Sequence, residues 1–393
     1  MLRKNLGLCA FVIGSLFAAS AVTACGGDDE GDGGGSAAGG TAGTGGSSGS
    51  SGTGGSAAAP PTEGETCDAD PSKCTLPPTQ PSAPAAAGTS ETVLAVSNLY
   101  LGTTDRSGSA TTTAWKDYGF NLDNLISKKT DSNHCKPQQG ANPSTVKTDG
   151  NGGIDNSFGA NLMPLISSLA SSAQDDVNQS ITDGSFTVMV RLKNLSDPSA
   201  DQTAVDASLY GGADMGAAPK WDGTDAWPVF PELLNGGNID DPKVKFPNSF
   251  VAGGTWVSNG GGSLDLTISI QGFSLTLTIV QAVFAMDVTG TGATASATNG
   301  TIAGVLETEN LINELKKVAG AFDESLCEGS TFESIAQQIR AASDIMSDGT
   351  NGDDTKTCNA ISIGLGFDAK AVVLGTVAAP STGPADPCAA AGG

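Results

Sequence analysis

The sequence predicts a mainly β protein of the α+β type: a β-sandwich or jelly-roll-like body, a small helical cap and a disordered N-terminal tether. Three observations predict it. Apolar and polar residues alternate with a period of two through much of Phe186 to Val288. Within that region, Leu264 to Ile279 folds back on itself in one register that sorts every side chain by polarity. Helical spacing is confined to segments near 161–177, 309–322 and 331–346.

The chain has 393 residues and opens on Met1-Leu2-Arg3-Lys4. The apolar run from Leu6 to Ala21 is too short and too rich in small residues for a good membrane span. Val22-Thr23-Ala24-Cys25 then resembles the lipobox of a bacterial lipoprotein. That resemblance implies a signal peptide over 1–24 and an acylated Cys25 as the mature N-terminus. Two or three acyl chains anchor firmly where one is marginal. Gly26 to Ala59 is built of Gly, Ser, Thr and Ala with a few acids, so it has no apolar surface to bury and reads as coil. Its roughly 35 residues reach about 30–35 Å on average. The tether is expected to run over 25–90, through a small loop closed by Cys67 and Cys74 and a stiffer Pro77 to Pro84. Gly45-Gly46-Ser47-Ser48-Gly49 fits the GxSxG pattern of serine hydrolases, but it sits in coil with no strand before it and no helix after it.

The body is expected over 91–393. Val93 to Leu101 reads as a strand, Trp115 to Ile126 as irregular, and Ser127 to Gly153 as a long surface loop. Leu162, Leu165, Ile166, Leu169, Ala173 and Val177 are spaced for one helix, with Asn161 as its N-cap. Phe186, Val188, Val190 and Leu192 alternate with polar or exposed partners, and Val205, Ala207 and Leu209 continue the pattern. A two-residue turn at Gln271-Gly272 pairs Ile270 with Phe273, Ile268 with Leu275, Leu266 with Leu277 and Leu264 with Ile279. Past Ile279 the apolar phase slips by one residue, the signature of a β-bulge. Asn299-Gly300 marks a further hairpin turn before Thr301 to Leu306. The last two helices carry Leu311, Leu315, Val318 and Phe322, then Phe332, Ile335, Ile339, Ala342 and Met346, the second opened by a capping box of Ser330 and Glu333. Ala360 to Phe367 and Ala371 to Val377 close the body as strands.

Net charge is −23, and from Glu91 onward 34 acidic residues face 16 basic ones. Nucleic acid and anionic lipid headgroups both need positive surface, so neither is an expected partner. Cation binding and plain solubility are both compatible with the balance. Setting aside Cys9 and Cys25 leaves six cysteines, an even number that suits disulfides in an exported chain. Spacing picks out Cys67 with Cys74. Cys327 with Cys358 would staple a helix, leaving Cys135 with Cys388, although six cysteines allow about 15 connectivities. Zinc is not expected, because there is no CxxC and one His, His134.

Asp149-Gly150-Asn151-Gly152-Gly153-Ile154-Asp155 resembles the first half of an EF-hand loop, with oxygen ligands at alternate positions and glycines that allow a tight wrap. Ala160 stands where the bidentate Glu belongs, so a full EF-hand is excluded. Two readings compete: a partial Ca²⁺ loop of Asp149, Asn151 and Asp155 completed from elsewhere, and a Gly/Asn turn leading into a helix. Asp348 to Asp354 is a second acidic turn, which helix termination explains. Trp221, Asp222, Asp225 and Trp227 form the densest mix of aromatic and acid and are the expected ligand-contact loop.

Gly119-Phe120-Asn121-Leu122-Asp123, Asp149 to Gly159, and Cys358-Asn359-Ala360-Ile361-Ser362-Ile363-Gly364-Leu365-Gly366-Phe367 together resemble a group of uncharacterised bacterial lipoproteins with a long Gly/Ser tether and a β-rich body. The resemblance implies the anchor and the extent of the body, and brings no activity. The expected function is a non-enzymatic binding or structural module on the bacterial envelope, held at the outer membrane by its lipid, stabilised by Ca²⁺ and meeting an extracellular protein or glycan. A secreted glycan hydrolase with paired carboxylates and an envelope lipid-binding protein are the alternatives.

Overall fold

A computed structural model describes residues 64–380, except 260–261, 271–272, 323–325 and 328–329. The expectations for Cys25, for Gly26 to Ala59, for Cys388 and for the Gln271-Gly272 turn fall outside these residues.

Alternation along the strands lets one face close on itself, and the protein is mainly β with an eight-stranded antiparallel barrel. The strands are β1 (Glu65–Thr66), β2 (Glu91–Tyr100), β3 (Leu125–Ile126), β4 (Thr187–Lys193), β5 (Gln202–Gly212), β6 (Ala226–Val229), β7 (Lys245–Ala252), β8 (Thr255–Val257), β9 (Gly262–Ile270), β10 (Phe273–Thr289), β11 (Ser296–Glu307) and β12 (Ala360–Val377). Around the ring the order is β2, β4, β5, β7, β8, β10, β11 and β12, and β12 pairs back onto β2. The path is thus up-and-down, and closure removes the exposed edges that an open sheet would present. β9 extends β10 outside the ring, and β6 lies parallel beside β12.

The interior is filled. Leu94, Val96, Val188, Val190, Leu192, Val205, Ala207, Leu209, Trp256, Phe284, Met286, Ile302, Ile363, Leu365 and Phe367 are all buried in one continuous core. An eight-stranded barrel is just wide enough for side chains to fill it. The buried indole of Trp256 donates to Ser249 Oγ at 2.9 Å, and that hydroxyl donates to the Val205 carbonyl, so the polar atoms are satisfied inside.

The β9–β10 hairpin has the register its alternation predicts, from Ile270 opposite Phe273 to Leu264 opposite Ile279. The bulge follows at Gln281, where φ is +52°, and it returns Ala282, Phe284, Met286 and Val288 to the core face. Asn299-Gly300 is not a hairpin turn. It is a second bulge inside β11, and the chain reverses earlier, through Gly290 to Ala295. The two expected closing strands are one, because the outer face of β12 is covered and both faces of a continuous strand can be buried.

The helices are α1 (Pro143–Val146), α2 (Met163–Leu169), α3 (Ala173–Thr182), α4 (Thr308–Phe322) and α5 (Ser330–Ala341). The single helix expected over 161–177 is a wide turn at Phe158–Leu162 followed by α2 and α3, broken at Ala170, whose φ and ψ are −138° and 85°. Val177 and Ile181 of α3 still reach the core, so the apolar spacing survives the break.

Residues 64–90 are part of the body, which corrects the expected tether boundary. β1 pairs with β3, Thr75 N–H donates to Gly152 O at 2.8 Å, and Gly88 N–H donates to Asn194 O at 2.8 Å. Main-chain pairing holds this stretch although its composition is that of a linker. Cys67 and Cys74 are bonded, as spacing suggests. Cys358 is bonded to Cys135, so neither Cys327–Cys358 nor Cys135–Cys388 forms. The reason is tertiary: Lys136 N–H donates to Lys356 O at 2.7 Å and Cys358 N–H to Lys136 O at 2.9 Å, which lays the two loops side by side.

Candidate metal centre

β12 alternates large apolar residues inward with small ones outward: Ile361, Ile363, Leu365 and Phe367 against Ser362, Gly364 and Gly366. The small residues make a landing strip for residues 113–158 and 343–359, which cover the outer wall. A Cβ on Gly364 would lie 2.1 Å from the Tyr118 carbonyl oxygen, so only glycine lets the layer sit this close. β2 stops pairing at Gly366, and the freed edge of β12 needs other partners. Asn156 supplies them at Gly364, accepting its N–H and donating to its carbonyl, both at 3.0 Å. Asp344 supplies them at Ser362, taking the N–H at 2.8 Å and the hydroxyl at 2.5 Å.

Under this layer four carboxyl groups gather. Asp155 accepts Leu122 N–H at 2.6 Å, Asp149 accepts Ser127 N–H at 2.6 Å, and Asp123 accepts Leu125 N–H at 2.8 Å through Oδ1. Asp344 joins from the segment after α5. The tight wrap that the glycines promised is present: Gly150 N–H donates to Ile154 O at 2.8 Å, and Gly153 has φ of +70° with no room for a Cβ beside Asn121. Asn121 is buried, takes Asn124 N–H at 2.7 Å and donates to Leu125 O, which fixes the turn that carries Asp123.

The electrostatics are those of acids short of a counter-charge. Burial pushes Asp123 up to about 6 and Asp344 up to about 7, the latter against the stabilising bonds from Ser362. Burial also raises Asp149 and Asp155 well above the carboxylate range, and for both the strongest repelling charge is Asp123. Among the described residues no Lys or Arg forms an ion pair with any of the four. Asp123 Oδ2 is inaccessible to water and has no hydrogen-bond partner.

Of the three expected ligands, Asp149 acts electrostatically on Asp155, but neither belongs to a group of three potential ligand atoms within 4.8 Å of one another, and Asn151 lies apart from both. Asn151 is exposed on the far side of the turn, donating to Asp117 at 2.6 Å. Asp123 and Asp344 carry no local ligand pattern. Only the resemblance motif that contains Asp123, and the acidic turn next to Asp344, hint at them.

Among the described residues, His134, Cys135 and Cys358 are the trio of potential ligand atoms lying within 4.8 Å of one another; the aspartates are spaced more widely. Both sulfurs of that trio are spent in the disulfide. His134 is buried with Nδ1 2.8 Å from Cys135 O, and burial holds its imidazole below the usual range.

The Trp221 loop is built for packing. Trp227 is fully buried and donates Nε1 to Ala213 O at 2.8 Å, and Asp225 is buried under the N–H groups of Lys220 and Trp221. Asp222 is exposed but turns back on Thr224, while Trp221 is half-buried, tilted 5.7 Å from Trp227. The expected contact role for Trp227 and Asp225 is thereby corrected: an indole with no exposed surface and a carboxylate serving main-chain donors have nothing left for a ligand.

Comparison with protein families, curated proteins and solved structures finds no match to this chain.

Proposed function

We propose that this chain is a lipoprotein of the bacterial envelope, anchored through Cys25, whose barrel is a non-enzymatic binding or structural module with Ca²⁺ as a stabilising ion. The family resemblance of its motifs belongs to the same reading. The observation that carries it is the filled barrel: core side chains occupy the interior, and the chain's own loops cover the outer wall. That packing weighs against a lipid carried inside. A glycan hydrolase needs two carboxyl groups facing each other across an open cleft, and the acids with raised pKa here lie beneath a loop layer. The tether favours a partner beyond the membrane, an extracellular protein or glycan.

The anchor is tested by feeding cells an alkyne-labelled fatty acid. The full-length protein is expected to take the label and Cys25→Ala to lose it. Label retained by Cys25→Ala would remove the anchor from this reading.

A further inference from the structure

We infer that the free edge of β9 is a docking site for an extended protein segment in which apolar residues alternate with lysine or arginine. The inference rests on the binding-module reading above, for which it names a surface and a partner, and is independent of its lipid anchor and its Ca²⁺.

β11 takes one edge of β10, and β8 and β9 follow one another along the other. β8 lies opposite Ala285 to Asp287, and β9 opposite Phe273 to Ala282. On that side β7 pairs with β8, from Phe250 to Ala252, and not with β9. β9 therefore parts from the barrel wall, and among the described residues it pairs with β10 alone. Ile270 lies opposite Phe273, so Leu264 and Leu266 exchange main-chain bonds with β10, while Ser263 and Asp265 turn their N–H and C=O groups outward. Gly262, Ser263 and Asp265 are exposed. An unpaired edge of this kind is a template for another strand.

Cavities lie along the edge. One of 180 Å³ opens where β9 leaves β7, between Phe246–Asn248 and Gly262–Leu264. A second, of 240 Å³, lies further along β9 and is lined by Phe186, Val188, Leu209, Phe230, Leu233 and Leu266. An added strand takes affinity from main-chain bonds and specificity from pockets for its alternate side chains. Leu264 and Leu266 face the core, and Asp265 faces the other way. A strand laid alongside continues both faces, with apolar residues over the cavities and the intervening residues beside Asp265.

Charge selects the occupant. Glu232 and Asp265, both exposed, border the larger cavity. Lys243 and Lys245 border the smaller one, where Lys245 already pairs with Asp241 at 2.5 Å. A second copy would bring another Asp265 edge, on a chain of net charge −23, to the same place. A basic strand meets the opposite sign there.

The test measures binding of fluorescein-labelled peptides of nine residues, the length of β9, to the full-length protein in detergent. The probes are alternating valine–lysine, alternating valine–glutamate, and the valine–lysine peptide with a central proline. The valine–lysine peptide is expected to bind. The other two should bind about tenfold more weakly or worse, because glutamate meets like charge and proline cannot join a ladder. Asp265→Lys should weaken binding about tenfold. Ser263→Pro, which removes an outward N–H and spares the β10 ladder, should weaken it as well. Bound peptide should slow amide exchange within 262–270, which a general attraction between acidic protein and basic peptide would not do. No binding of the valine–lysine peptide, equal binding of the proline peptide, or full affinity in Asp265→Lys overturns the docking edge and leaves the module to another surface. A dimer in sedimentation that Ser263→Pro separates assigns the edge to a second copy and overturns the peptide. The anchored-module reading itself fails on the fatty-acid label instead.

Discussion

Gly364 and Asp123 show how much single positions decide. Gly364 lies in a strand whose alternate residues are large, and its missing Cβ is what admits the Tyr118 main chain. Gly364→Ala would force that carbonyl away from β12 and disturb both Asn156 bonds. A loss of about 2 kcal/mol is expected by denaturant titration, in the range of overpacked interiors. A loss below about 0.5 kcal/mol, the level of an ordinary surface substitution, would show that the layer yields. Asp123 sits under the same layer with its carboxyl pushed up to about 6, because burial disfavours its charge. Neither role is visible locally. Glycine in a strand reads as a weak point, and one acid among 34 in the body has no mark of burial.

At the level of elements, the parts that were legible are those whose partners are near in sequence. The β9–β10 register follows from one alternation and a two-residue turn, and the bulge from one slip of phase. α4 and α5 follow from apolar spacing, although α5 ends at Ala341, five residues before the expected Met346. The helix after Asn161 was half legible. Its apolar stripe is continuous, but the break at Ala170 serves the packing of α3 against β2, where Asn178 bonds both main-chain groups of Leu99 at 2.8 Å. The loop over 127–153 looked like surface because it is polar. Much of it is indeed exposed, but Ser127, Asp131, His134 and Cys135 are buried within it. The Cys135–Cys358 disulfide spans 223 residues and holds that loop to 343–359. Replacing both cysteines by serine should cost about 3 kcal/mol and speed amide exchange in 127–149 and 343–359 together. If only one segment loosens, the two are not a single clamp.

For the whole molecule, closure of the ring is the central event. β2 and β12 pair across 260 or more residues, Gly366 opposite Tyr100 and Val372 opposite Val93. Such long-range pairing gains nothing until the strands between are in place, so a single cooperative body is expected. Its limits are testable by brief proteolysis of the full-length protein in detergent. The resistant fragment should begin near Gly64, because β1 and the Cys67–Cys74 loop are tied to β3 and Asn124. A resistant fragment beginning near Glu91 would return residues 64–90 to the tether.

The sequence by itself determined the β character, the hairpin and its bulge, the positions of the last two helices and the Cys67–Cys74 pair. All of these depend on periods, caps and spacings read within about twenty residues. Tertiary structure decided the closed barrel over an open sandwich, the Cys135–Cys358 bond and the meeting of Asp123 with Asp344. Those depend on which distant segments share a wall, and that is settled by packing the outer face of β12, where three small residues left room for a loop layer to land.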